Sequence, residues 1–149
     1  MADLTTTITE SVTLNGAVRG STNIITTSGI DDVLERIVTC AHSQETTIAL
    51  FATASYTSPG AIDVENTAYA RVTNLSTTDA VHLAIVGTAT NYTVKLRPGS
   101  SHMIFNGEEV MVAEADTSPG FASFEDVTKF IIKPTSATDC QIELFVALT

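Results

Sequence analysis

The sequence predicts an all-β protein, a β-sandwich or jelly-roll-like domain of about ten short strands with at most one short helix. Three observations predict it. First, a stretch nearly repeats itself: Thr57-Ser58-Pro59-Gly60 recurs as Thr117-Ser118-Pro119-Gly120, and the register holds without a gap through Ser76-Thr77-Thr78-Asp79 and Ser136-Ala137-Thr138-Asp139. Both copies read as a Pro-Gly turn, an acidic loop, an apolar strand, a Ser/Thr/Asp turn and a second apolar strand, which predicts a β-hairpin used twice. Second, threonine supplies about one residue in six and Val and Ile are common; β-branched side chains favour pleated strands over helix interiors. Third, turn signals interrupt the apolar runs at roughly 8–12-residue intervals.

The elements follow in order. Residues Thr5 to Leu14 alternate, with Ile8, Val12 and Leu14 on one face beside Glu10 and Thr7, Thr9, Ser11 and Thr13 on the other, as in a half-buried strand. Asn15-Gly16, the pair most favoured in tight hairpin turns, closes it. Ser21 to Thr27 reads as a short strand around Ile24-Ile25. Ser28 to Arg36 is the one helix candidate, with Ser28 as cap and Asp31 and Asp32 near the positive end of the dipole; at two turns at most, a single helical turn leading into a strand fits equally well. Val33 to Ala41 leads into a Ser43-Gln44-Glu45 turn, and Thr46 to Ala54 is a strand with Ile48, Leu50 and Ala52 opposite Ala49 and Phe51.

The first repeat copy supplies strands at Ala68–Leu75 and Ala80–Val86. Tyr92 to Leu96 alternates until Pro98-Gly99 breaks it. Met103 to Phe105 ends at Asn106-Gly107, Glu109 to Glu114 forms a strand around Val110 and Val112, and the second copy supplies Lys129–Lys133 and Gln141–Leu148. The expected organisation is an N-terminal strand or arm over residues 1–20 and one sandwich domain over residues 21–149, which suits a chain of 149 residues. The arm could pair with a neighbour's sheet edge, although docking on its own domain is the expectation.

The composition is globular, with 44% hydrophobic and 16% charged residues. The net charge of −10 disfavours phosphate backbones and anionic lipid, so neither a nucleic-acid nor a membrane partner is expected. The N-terminal residues lack the basic-then-apolar order of a signal peptide, so a protein made in a cytoplasm is expected. Cys40 and Cys140 are too far apart in sequence to define a disulfide framework and read as buried free thiols, with a single bridge left open.

No catalytic set, metal site or cofactor is expected. His42, His82 and His102 lack the companions of a zinc site, and Ser101-His102 would face opposite sides of a strand. The acids at Asp31-Asp32, Asp63 with Glu65, Glu108-Glu109 and Glu125-Asp126 lack the spacing of a calcium loop and read as solvated turn residues. Asn74-Leu75-Ser76 and Asn91-Tyr92-Thr93 match the glycosylation pattern but lack a secretory context. Most aromatic residues fall on apolar strand faces. The candidate interface residues are Ile8, Val12 and Leu14 on the N-terminal strand and Tyr56, Phe121 and Phe124 near the Pro-Gly loops.

The run Tyr69-Ala70-Arg71-Val72-Thr73-Asn74-Leu75-Ser76-Thr77-Thr78-Asp79, followed by Tyr92-Thr93-Val94-Lys95-Leu96-Arg97-Pro98-Gly99-Ser100, resembles small virion proteins of tailed bacteriophages, in particular capsid decoration (cement) proteins. The resemblance spans residues 68–105. It implies a non-enzymatic structural subunit on the outer capsid surface of a virion, made in the host cytoplasm, commonly a homotrimer, whose partner is the major capsid protein or another virion protein. The alternatives are a head–tail joining or tail/fibre attachment protein and, in a different class, a carbohydrate-binding β-sandwich, against which the low aromatic content and the lack of Trp count.

Overall fold

The computed structural model describes residues 1–54, 60–109 and 124–149. Among them are fifteen strands: β1 (Ala2–Thr9), β2 (Val12–Leu14), β3 (Ala17–Arg19), β4 (Thr22–Ile30), β5 (Asp32–Cys40), β6 (Thr46–Ala52), β7 (Ala61–Asp63), β8 (Thr67–Asn74), β9 (Val81–Val86), β10 (Asn91–Leu96), β11 (Ser101–Ile104), β12 (Glu108–Glu109), β13 (Glu125–Asp126), β14 (Lys129–Pro134) and β15 (Cys140–Leu148). The described residues contain no helix.

The strands form a sandwich. One sheet has the order β10-β9-β14-β6-β7, the other β11-β8-β15-β5. All their pairings are antiparallel except β6 with β7. Alternation along each strand sends one set of side chains inward. Ile48, Phe51, Val81, Leu83, Ile85, Phe130 and Ile132 from the first sheet meet Val72, Ile104, Ile142, Leu144 and Val146 from the second. Phe51 and Phe130 pack edge to face with centroids 4.9 Å apart.

The sequence repeat has a different pairing from the one expected. Within each copy the two apolar strands do not pair with each other. β8 and β9 lie in opposite sheets, as do β14 and β15. Each copy is therefore an arch that crosses the sandwich, and the two arches interlock: β8 pairs with β15 in one sheet and β9 with β14 in the other. The symmetry is approximate. A shift of 60 would turn Ile142↔Asn74 into His82↔Pro134, whereas His82 faces Lys133. Buried Asn74 shapes the first crossing: its amide donates to the carbonyl oxygens of Asp79, Leu96 and Arg97, and its Oδ1 accepts from the Ser76 amide.

Three other expectations are corrected. The Ser28–Arg36 helix is absent: β4 runs to Ile30 and β5 begins at Asp32, because pairing with β1 and β15 outweighs a two-turn segment with little helical cooperativity. The Thr5–Leu14 strand is interrupted after Thr9. In β6, Ile48 and Ala49 are both buried whereas Leu50 is exposed; a register irregularity opposite Phe130 and Ile131 breaks the alternation there. The strand expected around Val110 and Val112 lies outside the described residues beyond Glu109.

Candidate interaction surface

The N-terminal residues build a two-stranded ribbon. Asn15 and Gly16 both adopt positive φ, 50° and 76°, the backbone of a tight hairpin turn matched to strand twist. The turn sets Val12 opposite Arg19, Thr13 opposite Val18 and Leu14 opposite Ala17. Below it the Glu10 amide donates to the Ser21 carbonyl at 2.9 Å. Gly20, at φ 126°, sits so close to Glu10 that a Cβ there would lie 2.0 Å from the Glu10 carbonyl oxygen, so the crossing needs glycine. The ribbon continues as β1 against β4, from Thr9↔Thr22 to Ala2↔Ile30. It thus extends past residue 20, and its returning strand leads into β5.

Among the described residues, only the base of the ribbon rests on the sandwich. Leu4, Thr6 and Ile8 face the body together with their partners Thr27, Ile25 and Asn23; all but Asn23 are half-buried. Leu4 and Ile30 join Tyr69, Ala147, Met103 and Phe145 in a second small apolar cluster on the outer face of the four-stranded sheet. Tyr69 stacks edge to face with Phe105 and Phe145, and burial pushes its phenol pKa up. A crevice of about 310 Å³ remains between the ribbon residues Leu4–Thr7 and Tyr69, Arg71, Met103 and Phe145.

Every residue from Thr9 to Ile24 is exposed. Val12 and Leu14 share one face with Ala17 and Arg19, and Val18 occupies the other with Thr13. These aliphatic side chains are open to solvent: Val12 and Leu14 at 57%, Ile24 at 64% and Val18 at 74%. Six residues separate Thr9 from Gly16 along the outgoing strand, a length of about 20 Å. A two-stranded hairpin of this kind is marginal in water on its own, and burying its aliphatic surface would contribute about 25 cal/mol per Å².

The same outer sheet face exposes two further aliphatic side chains, Val33 and Ile37, on either side of Glu35 along β5. Pairing aligns the row Ile37–Glu143–Thr73–Ser101 beside the row Glu35–Phe145–Arg71–Met103. The ribbon base covers Tyr69 and Ala147, but on edge strand β5 Val33 and Ile37 stay exposed at 46% and 61%. Arg71 anchors the centre of this face, its Nη1 2.6 Å from Glu143 Oε2.

Of the sequence candidates, Ile8, Val12 and Leu14 come together on the ribbon. Phe124 is exposed at the β12–β13 end instead, and Tyr56 and Phe121 lie outside the described residues. Val18, Ile24, Val33 and Ile37 were missed. The Asn15-Gly16 turn was the signal for the first two, since it implies a returning strand.

The polar clusters have structural partners. His42 Nδ1 and its amide both meet Asp139 Oδ1, at 2.6 and 2.8 Å, which holds the Asp139 carboxyl below its ordinary range. Glu125 accepts bonds from the Thr90 hydroxyl and from the Ala89 and Thr90 amides, and its pKa is lowered by them. Burial, helped by nearby Glu109, pushes Tyr92 up to about 12, and burial lowers its neighbour His102. Asp63 closes its own turn by accepting from the Glu65 amide and the Asn66 side chain. Among the described residues no group of three or more His, Cys, Asp or Glu is disposed to hold a metal ion. Comparison of the chain with protein families, curated proteins and solved structures finds no match.

Proposed function

We propose that this chain is a non-enzymatic structural subunit of a virion, a decoration (cement) protein on the outer capsid surface, and that it works by assembly through its N-terminal ribbon. The observation that carries the reading is the ribbon itself: an ordered hairpin seated only at its base, with Val12, Leu14, Val18 and Ile24 exposed. The proposed occupant of the ribbon tip is a second copy of the chain, in a homotrimer. Each copy offers the complement on the face where its own ribbon base already packs, Val33 and Ile37 flanking Glu35, to which Arg19 on the returning ribbon strand is opposite in charge. Closed symmetry would also cover the β5 edge. The virion assignment rests on the resemblance over residues 68–105, and the acidic net charge of −10 suits a partner other than DNA. The partner beyond the trimer is the major capsid protein.

Copy number in purified particles tests the virion reading, measured by quantitative mass spectrometry against the most abundant capsid protein. Hundreds of copies are expected for a cement protein. A few to a few dozen would move the chain to a head–tail joint or fibre, and absence from particles would overturn the virion reading.

A further inference from the structure

Cys40 and Cys140 are direct register partners across β5 and β15. Directly opposed residues of an antiparallel pair share a sheet face, with Cα atoms about 4.5–5.5 Å apart, inside the window of about 4.4–6.8 Å that a disulfide spans. Both thiols are free and buried, and both face the sandwich core. Their surroundings offer no competing chemistry. Thr46 and Ser76 bond to the two sulfurs, Cys140 Sγ lies 3.6 Å from the Thr138 carbonyl oxygen, and among the described residues no metal-binding group forms around them.

We propose that Cys40 and Cys140 are a covalent modification site: an intrachain cross-strand disulfide made by thiol–disulfide exchange with a small-molecule disulfide. One protein thiolate attacks the reagent, forming a mixed disulfide and releasing one reagent thiolate. The second protein thiolate then attacks the protein sulfur of that mixed disulfide and releases the other reagent thiolate. The protein loses two protons and two electrons, and the reagent is reduced to two thiols. The bond has a mechanical consequence. Among the described residues β5 is an edge strand whose one sheet neighbour is β15, and it continues from the ribbon at Asp32. The bridge would pin the far end of the strand onto which any load on the ribbon falls. Burial raises both thiols, so closure in the folded protein is slow and is paced by local opening of the sheet end. The inference is independent of the virion reading.

The test is incubation of the full chain with oxidised glutathione at mildly alkaline pH, followed by non-reducing peptide mapping by mass spectrometry and thermal denaturation. A chain with its own Cys40 and Cys140 peptides joined, and no covalent link to a second copy, is expected, its Tm raised by about 5–10 °C over the reduced protein, with neither change in Cys40→Ser. Glutathione adducts on both thiols without a link, a disulfide-linked dimer, or a linked chain of lower Tm would each overturn the proposal. Thiols that stay free in the folded protein are expected to close on refolding from denaturant in a glutathione redox buffer; thiols free after both treatments would overturn it as well.

Discussion

The sandwich and the ribbon are built from the same kind of sequence, Thr-rich with alternating Ile, Val and Leu, yet they bury it differently. In the sandwich, two arches from the repeat interlock, so that each copy's strands are completed by the other's. Leu144, Val146 and Ile142 are shielded from solvent. In the ribbon, pairing stops at two strands, so the hairpin bonds its inward backbone groups, leaves both edges open and does not cover its side chains. Hydrogen bonding alone therefore does not give a strand pair a core; a second layer does. The sandwich supplies its own second layer, whereas the ribbon beyond Thr9 has none among the described residues.

The largest expected effect compares one substitution in both regions. Leu144→Ala should cost about 3–5 kcal/mol in urea denaturation, through lost burial and a cavity, whereas Leu14→Ala at the ribbon tip should change the unfolding of the isolated subunit by less than about 0.5 kcal/mol. Equal costs would break the distinction. Asn74→Ala should cost about 1–3 kcal/mol, because buried carbonyl oxygens and the Ser76 amide lose their partners where the first arch crosses. Hydrogen exchange in dilute subunit should show β8 and β15 amides protected to the global limit and those of β2 and β3 exchanging by local opening; equal protection would mean that the ribbon is held by the body.

The smallest effect is in acid. Glu125 and Asp139 have folded pKa values depressed below their unfolded ones, so their stabilisation is complete above the unfolded values and is lost as pH falls through the folded ones. Tm should decline below the ordinary carboxylate range, and Glu125→Gln should remove part of that decline while lowering Tm at neutral pH.

The all-β class was legible because β-branched residues and regularly spaced turns are local signals. The ribbon turn was legible for the same reason in Asn15-Gly16, whereas the break after Thr9, which leaves Ile8 half-buried on the body and Val12 and Leu14 exposed, was not. Partner choice was not legible. The repeat specifies strand, turn and strand, but the sheet that each strand enters depends on contacts distant in sequence, so two arches read as two hairpins. Ser28, Asp31 and Asp32 have the local chemistry of a helix start, and long-range pairing overrode it. The exposure of Val33 and Ile37 appears only once β5 is an edge strand. A bulge such as the one at Ile48 leaves no mark in an alternating run.

In the proposed assembly the ribbon acts between molecules. Sedimentation velocity of the full chain beside the Val12→Ser, Leu14→Ser, Val18→Ser triple variant tests it most directly. A trimeric wild type is expected, and a variant that is monomeric with the same Tm as the dissociated wild-type subunit. A wild-type chain that stays monomeric at high concentration, or a variant that assembles as well as the wild type, would contradict it.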